Sequence, residues 1–435
     1  MTFDHLWTTI ETEELFGDGG RTTRWLAIIG EIASGQAAFG LIPEPAAREI
    51  SRRAELGVDL EAVAEETRRT GHSTLGLIRV LQRDLSEEAR QWVSYGTTVQ
   101  DVADTWTGIV AREMLRIAER DLGRTEGSLV ALALRHRDAI MLGRTHGQPG
   151  LPITFGFKAA VWIAELRRHR ERIGEARPRL AVGQLSGAVG TMSAWGEHGP
   201  ALQRLVLERL GLGVPDTSWL TARDRVAELL GVLAMATATL AKIGNEVYNL
   251  QRPEIGELSE APAAGVVGSI TMPQKRNPER SEHLGTLARV VRAAAGLAVE
   301  GMVAEHERDG AAWKTEWAFL PQACGAAAAA LALGAELAAG LQVDERRMRE
   351  NVEAQRGYVL AEAAMLALGA EVGPRRAHEL VHAAAGRGLE RGQTLREALA
   401  GDPEIAGRVD LDATLRPELA LGATDELVRR VLGDG

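Results

Sequence analysis

The sequence predicts an all-α fold, a three-part protomer around a central bundle of five long helices. Three observations carry this. Apolar residues recur at helical spacing, with few prolines, over 102–137, 152–177, 221–252, 279–304 and 318–341. Strand alternation is nearly absent along the chain. Aromatic residues make up only 4% of the sequence, so closely packed, alanine-rich helices must build the core. Helices of roughly 25–35 residues are two to three times the usual length and about 40–50 Å long, which suits an elongated bundle. Their alanine-rich faces expose more apolar stripe than one protomer can bury, so a tetramer around a helical core is expected.

The N-terminal part, 1–101, reads as short helices. From Thr22 to Phe39, Trp25, Ile28, Ile29, Ile32 and Ala33 form a stripe closed by Gly40 and Pro43. Further helices are expected over 45–56 and 60–69, a proline suiting the first turn of the former. T-G-H-S-T-L-G-L then places His72 before an apolar helix that Ser73 or Thr74 is suited to cap. W-V-S-Y-G-T-T-V-Q-D breaks at Gly96, Thr97 and Thr98 before the first long helix, and N–H groups at such a start suit a carboxylate. The central part, 102–348, holds the long helices, with Thr221 to Asp224 reading as a capping box for the third. Residues 349–435 alternate short helices and end in a polar tail.

Composition narrows the function. The net charge is −10, which argues against binding a nucleic-acid backbone. One cysteine, Cys324, excludes an internal disulfide and fits a reducing compartment. M-T-F-D-H-L-W lacks the pattern of a secretory signal. The most apolar stretch, 326–341, is alanine-dominated and broken by Glu336, so it reads as a buried helix rather than a membrane span. A soluble, cytoplasmic protein is expected. No metal-ligand spacing or dinucleotide fingerprint appears, so neither metal nor cofactor is expected.

Two loops carry chemistry. Ala261 to Pro278, A-P-A-A-G-V-V-G-S-I-T-M-P-Q-K-R-N-P, joins two long helices without periodicity of its own. A connection of this length in a compact domain is functional or disordered, and Val266, Val267, Ile270 and Met272 have surface to bury. Its glycines and prolines allow tight turns and a hinged lid around Ser269, Lys275 and Asn277. Of 50 Lys+Arg residues only 158, 242, 275 and 314 are lysine, so a compact point charge has been chosen at Lys275. The second loop, M-L-G-R-T-H-G-Q-P-G-L-P-I-T, presents Arg144, Thr145, His146 and Gln148 from a frame of glycines and prolines.

These residues carry a resemblance. G-S-I-T-M-P-Q-K-R-N-P resembles the signature loop of the fumarase/aspartase superfamily, with Ile270 where its second serine stands. G-R-T-H-G-Q with P-I-T-F-G-F-K, and G-Q-L-S-G-A-V-G-T from Gly183 to Thr191, are similar to adenylosuccinate-lyase blocks. T-G-H resembles the T-x-H segment of those enzymes, and G-T-T-V-Q-D their G-x-T-S-x-D segment, with Val99 replacing the serine. Q-R-P-E-I-G-E (Gln251 to Glu257) resembles the helix end before the signature loop. H-E-R-D also occurs there, but Trp313, Lys314 and Trp317 replace the Ser-Ser-x-x-Arg that holds a nucleotide phosphate. W-K-T-E-W resembles 3-carboxy-cis,cis-muconate cycloisomerases instead, although those commonly carry Trp where this chain has His146.

The resemblance implies an all-α homotetramer with each active site shared between three subunits. It implies Ser269 as base and His146 as the acid serving the leaving group. It implies substrate contacts from His72, Thr97, Thr98, Thr145, Gln148, Gln184, Met272, Lys275 and Asn277, with Arg144, His306 and Arg308 as further candidates. Removing a proton beside a carboxylate makes an aci-carboxylate, and preorganised cations and N–H donors such as Lys275 and the loop amides suit its second charge. The expected reaction is β-elimination of a nitrogen leaving group (amine, ammonia or nitrite) from a substituted succinate, yielding fumarate. The alternatives are a cycloisomerase of the carboxymuconate type and a catalytically silent structural homologue. A small-molecule dicarboxylate is the expected ligand, with neither nucleic acid nor membrane as partner.

Overall fold

Each of the five long apolar patterns becomes a helix: Val99–Arg135, Phe155–Leu180, Asp224–Leu250, Glu279–Glu300 and Gly310–Gly340. The first, at 37 residues, is about 55 Å long. The structure is a computed structural model that describes residues 3–72, 74–262, 271–272 and 274–433. The chain divides into two compact units. The first comprises Met1–Leu122, His169–Ala241 and His283–Leu333; the second comprises Gly123–Arg168, Lys242–Glu282 and Gly334–Gly435.

In the first unit the expected N-terminal helices form as Asp18–Ala38, Glu44–Glu55, Leu60–Thr70 and Leu75–Arg83. Leu26, Ile28, Ile29 and Ile32 of the first are buried, as are Ile50, Leu77 and Leu81. Burying each such side chain stabilises by about 1.5–3 kcal/mol. The Leu75–Arg83 helix departs from expectation at its cap. Thr74 makes no capping bond; the Leu75 N–H donates to His72 Nδ1 at 3.3 Å. Ser73 lies outside the described residues. The third long helix opens at Asp224 rather than from a Thr221 cap, because Arg223 is drawn inward by buried carboxylates at its start.

In the second unit the Gly/Pro-rich segment expected as a loop is a β-hairpin. Ile140–Thr145 pairs antiparallel with Gln148–Thr154, Met141 opposite Ile153 and Thr145 opposite Gln148, with a register irregularity between Leu142 and Arg144. Leu142 packs with Val352, Val359 and Leu360, which seats the hairpin on the C-terminal part. That part is built on Ala361–Val372 and Pro374–Glu390, joined through buried Leu368, Leu380, Val381 and Leu399. Asp224–Leu250 and Gly310–Gly340 are long and apolar enough to cross a membrane by length and composition, but 67% and 72% of their most apolar windows are buried. They are core helices of the fold, as the stretch 326–341 was expected to be.

Candidate functional site

In the first unit the site grows from the break before the first long helix. Gly96 has φ 71°, a conformation glycine adopts without strain. A Cβ there would come within 2.6 Å of the Ala194 Cβ and 2.7 Å of the Trp195 Nε1, so a larger residue is excluded twice over. The turn delivers Thr97, whose hydroxyl donates to the Ser94 carbonyl at 2.9 Å, and Thr98, which precedes the helix. The first N–H groups of a helix have no partner within it, so Val99 and Gln100 can donate to an anion. Arg308 Nη2 donates to the Thr98 Oγ1 and to the Ala188 carbonyl, both at 2.7 Å. A guanidinium, a hydroxyl and a helix start thus converge where a carboxylate would be held.

Asp101 fastens this arrangement from below. Its carboxylate is fully buried and accepts from Thr98 N (2.9 Å), Ser186 N (2.8 Å) and Gly187 N (3.1 Å). Burial pushes its pKa up to about 6 against the opposing pull of those N–H groups. The matched motif residue therefore joins the helix start to the Gly183–Thr191 segment. Gln184 serves the same frame. Its side chain is buried, donates to Ser186 Oγ and accepts from Trp219 N at 2.9 Å. His306 has φ 52° and is exposed, while Asp309 accepts from Ala311 N at 2.8 Å and caps the helix that follows Arg308.

A buried charge cluster beneath these residues escaped the sequence reading. Arg223 donates to Asp104 Oδ2 at 2.8 Å and to Glu316 Oε2 at 2.5 Å, and all three side chains are almost wholly buried. Trp313 Nε1 also donates to Asp104 Oδ1 at 3.1 Å, and Gln100 Nε2 to Asp104 Oδ2 at 2.9 Å. Burial raises the Glu316 pKa, opposed by Arg223; burial also pulls the Arg223 pKa down, but Asp104 and Glu316 together hold it above its ordinary value. The available signal was single charges in otherwise apolar helix faces. Spacing alone does not pair residues so far apart in sequence.

In the second unit the hairpin presents Thr145, His146 and Gln148 at its exposed tip. His146 and Gly147 form its two-residue turn with φ 52° and 73°, the signs of a type I′ turn. A non-glycine residue in that region is held at a cost of about 1–3 kcal/mol, a recurrent trait of functional positions. Arg144 is not at the tip. It makes a bidentate pair with Glu257 at 2.7 and 2.8 Å, and Glu257 also accepts from Asn351 at 2.8 Å. Lys158 pairs with Glu246 at 2.5 Å.

The signature loop is clasped at its ends. Glu260 Oε1 accepts from Ser281 N (2.8 Å) and Ser281 Oγ (2.6 Å), and Oε2 accepts from Arg280 N (3.2 Å). Gln251 accepts from Glu260 N at 2.8 Å and donates to the Arg276 carbonyl at 3.3 Å. Met272 and Lys275 are exposed and share a turn, Lys275 N donating to the Met272 carbonyl at 3.0 Å, and Asn277 is half-buried. Ser269 lies outside the described residues, as do Ala263 to Ile270 around it and Pro273. The structure thus gathers Thr98, Arg308 and Gln184 in one cluster, pairs Thr145 with Gln148 across the hairpin, and joins Met272 to Lys275. His72 stands apart as a helix cap. Among the described residues, no group of three or more His, Cys, Asp or Glu is placed to hold a metal ion.

Comparison with known proteins agrees with the motifs. Residues 44–293 match the family model described as Lyase, and 357–431 the one described as adenylosuccinate lyase C-terminus. The chain is 37% identical to N-acetyl-S-(2-succino)cysteine lyase of Dickeya dadantii, covering 98% of this chain and 96% of the relative. It is 36% identical to 3-carboxy-cis,cis-muconate cycloisomerase of Pseudomonas aeruginosa, covering 99% and 96%. The crystal structure of a fumarate lyase from Mesorhizobium sp. BNC1 superposes with a TM-score of 0.91 at 34% identity, covering 99% of both chains.

Proposed function

Because the chain belongs to the lyase family of the fumarase/aspartase superfamily, on the branch of adenylosuccinate lyases and carboxymuconate cycloisomerases, we propose that it cleaves a C2-substituted succinate by β-elimination. Fumarate leaves, together with a leaving group that carries no phosphate. The observation that carries the reading is the seat formed by Thr98, Arg308 and the helix start, suited to one substrate carboxylate. Ser269 takes the proton from C3, and that electron pair forms the C2–C3 double bond as the bond from C2 to the leaving atom breaks. Lys275, Asn277 and the loop amides stabilise the aci-carboxylate between these events, each such donor worth about 3 kcal/mol. His146 protonates the departing atom, while Thr97, Thr145, Gln148 and His72 orient the substrate.

The motifs imply nitrogen as the leaving atom, whereas the N-acetyl-S-(2-succino)cysteine lyase of Dickeya dadantii has sulfur there. Both are the same elimination at carbon and differ in how much protonation departure needs. A nucleotide is disfavoured because Trp313 and Trp317 occupy positions where hydroxyl and guanidinium groups hold a phosphate, and Trp313 is already bonded to Asp104. The active enzyme is a homotetramer of the cytoplasm, with His146, Ser269 and Thr98 of one site drawn from different subunits.

The test is fumarate absorbance with purified protein and a panel of substrates. N-acetyl-S-(2-succino)cysteine and N-(2-succino) amines are expected to release fumarate; adenylosuccinate is not. W-K-T-E-W favours a second reading, a cycloisomerase, which would consume 3-carboxy-cis,cis-muconate and release fumarate from none of the adducts.

A further inference from the structure

Within the first unit lies a cavity of about 420 Å³ walled by Trp25, Trp106, Trp313 and Trp317. These are four of the nine tryptophans in a chain otherwise poor in aromatic residues. Trp313 and Trp317 meet edge to face at 4.7 Å, as do Trp25 and Trp106 at 6.3 Å, so the rings brace one another as two angled pairs. Trp317 keeps 42% of its surface open, a large apolar area left for a ligand to cover.

Three of the four charged residues that line the cavity have a partner. Glu316 is committed to Arg223, and Arg21 to Asp18 at 2.8 Å, with the Arg21 guanidinium 5.7 Å from the Trp25 ring centre. Arg68 also lines the cavity and makes no hydrogen bond or ion pair among the described residues. One guanidinium without a partner among the described residues thus stands beside an aromatic wall. The complementary ligand is a flat apolar body bearing an acid group.

The helices that carry the carboxylate seat also wall the cavity. The helix that begins after Thr98 lines it with Ala103, Trp106 and Thr107. The helix that follows Arg308 lines it with Trp313 and Trp317. The helices flanking His72 add Thr67 and Leu77. At 1.5 Å per residue, Ala103 stands only about 8 Å along the axis from Thr98. The volume exceeds what a group the size of N-acetylcysteine fills and falls within the range of pockets for larger ligands.

We propose that this cavity receives the leaving-group end of the substrate, and that the leaving group is an aromatic thiol or amine bearing a carboxylate. The proposal rests on the elimination proposed above and extends it to the substrate class.

Calorimetry with phenylacetate, benzyl alcohol and acetate as probes of the full-length protein tests the pocket without turnover. Phenylacetate should bind saturably and acetate should not. Trp317→Leu, at a half-exposed position, should weaken phenylacetate about tenfold by removing aromatic contact area. Arg68→Gln should weaken phenylacetate and leave benzyl alcohol unchanged. Absence of saturable phenylacetate binding, or binding unaltered in both variants, would overturn the proposal. Turnover tests the link to the reaction. With the S-(2-succino) adduct of 4-mercaptophenylacetate, Trp317→Leu should raise KM and spare kcat; with N-acetyl-S-(2-succino)cysteine, whose leaving group lacks a ring, the rise in KM should be several-fold smaller. An equal change in KM for both adducts overturns the leaving-group assignment. Phenylacetate binding that depends on Trp317, with fumarate from neither adduct, refutes the elimination while the ligand class of the cavity stands.

Discussion

At His146 the backbone is held at φ 52° by a two-residue turn, and the ring stands exposed at the hairpin tip. As an acid it matters only where the leaving atom needs a proton. A thiol has a pKa of about 8.5 and departs readily as thiolate, whereas an amine does not leave as its anion. His146→Gln should therefore slow amine adducts by about 10²–10⁴-fold and thiol adducts far less, read from kcat/KM on matched pairs. Equal losses on both would remove His146 from that role. Asp101 gives a second prediction. Its pKa in the fold is raised to about 6, so the folded state holds the proton more tightly than the unfolded chain does. Its contribution is fully present at pH 4 or below and is lost as pH rises through about 6, on the order of 2–3 kcal/mol. In denaturant titrations the stability of the native protein relative to Asp101→Asn should decline between pH 4 and 7. A constant difference would show that the N–H groups around Asp101 outweigh its burial.

Among the elements, the clasp at the base of the signature loop joins local structure to activity. Glu260 receives the Arg280 and Ser281 N–H groups at the start of the Glu279–Glu300 helix. Glu260→Gln weakens charge-assisted bonds, which are about twice as strong as neutral ones. Hydrogen exchange at Arg280 and Ser281 should quicken and kcat should fall, while global stability drops by only about 1 kcal/mol. Unchanged exchange at those amides would show that the clasp does not restrain the loop. Glu260 and Glu257 were not legible as partners of Ser281 and Arg144, because folding rather than spacing brings them together. The long helices were legible because unbroken apolar periodicity has one reading over 25 residues or more. The hairpin was not. Gly143, Pro149, Gly150 and Pro152 interrupt its alternation, and its pairing tolerates them through a register irregularity. The Thr74 cap failed for a similar reason, since the His72 imidazole reached the Leu75 N–H instead.

For the whole molecule, Leu297 and Val299 at the end of one long helix, with Met302 and Val303 just past it, are exposed, and assembly as a tetramer would cover them. Light scattering at micromolar concentration should give four times the protomer mass of 46.7 kDa. A monomer would sink both the tetramer and the shared site. The fold class and the family were legible because helical periodicity and motifs mark them; the aromatic cavity was not, because Trp25, Trp106, Trp313 and Trp317 come together only in the folded unit. The central claim is elimination driven by the signature loop, and Ser269→Ala tests it most directly. Fumarate absorbance should rise with the native protein on a succinate adduct and stay flat with the variant, while calorimetry shows the adduct still bound, since the lost hydroxyl acts in the transition state. Near-native fumarate release by Ser269→Ala would contradict the account.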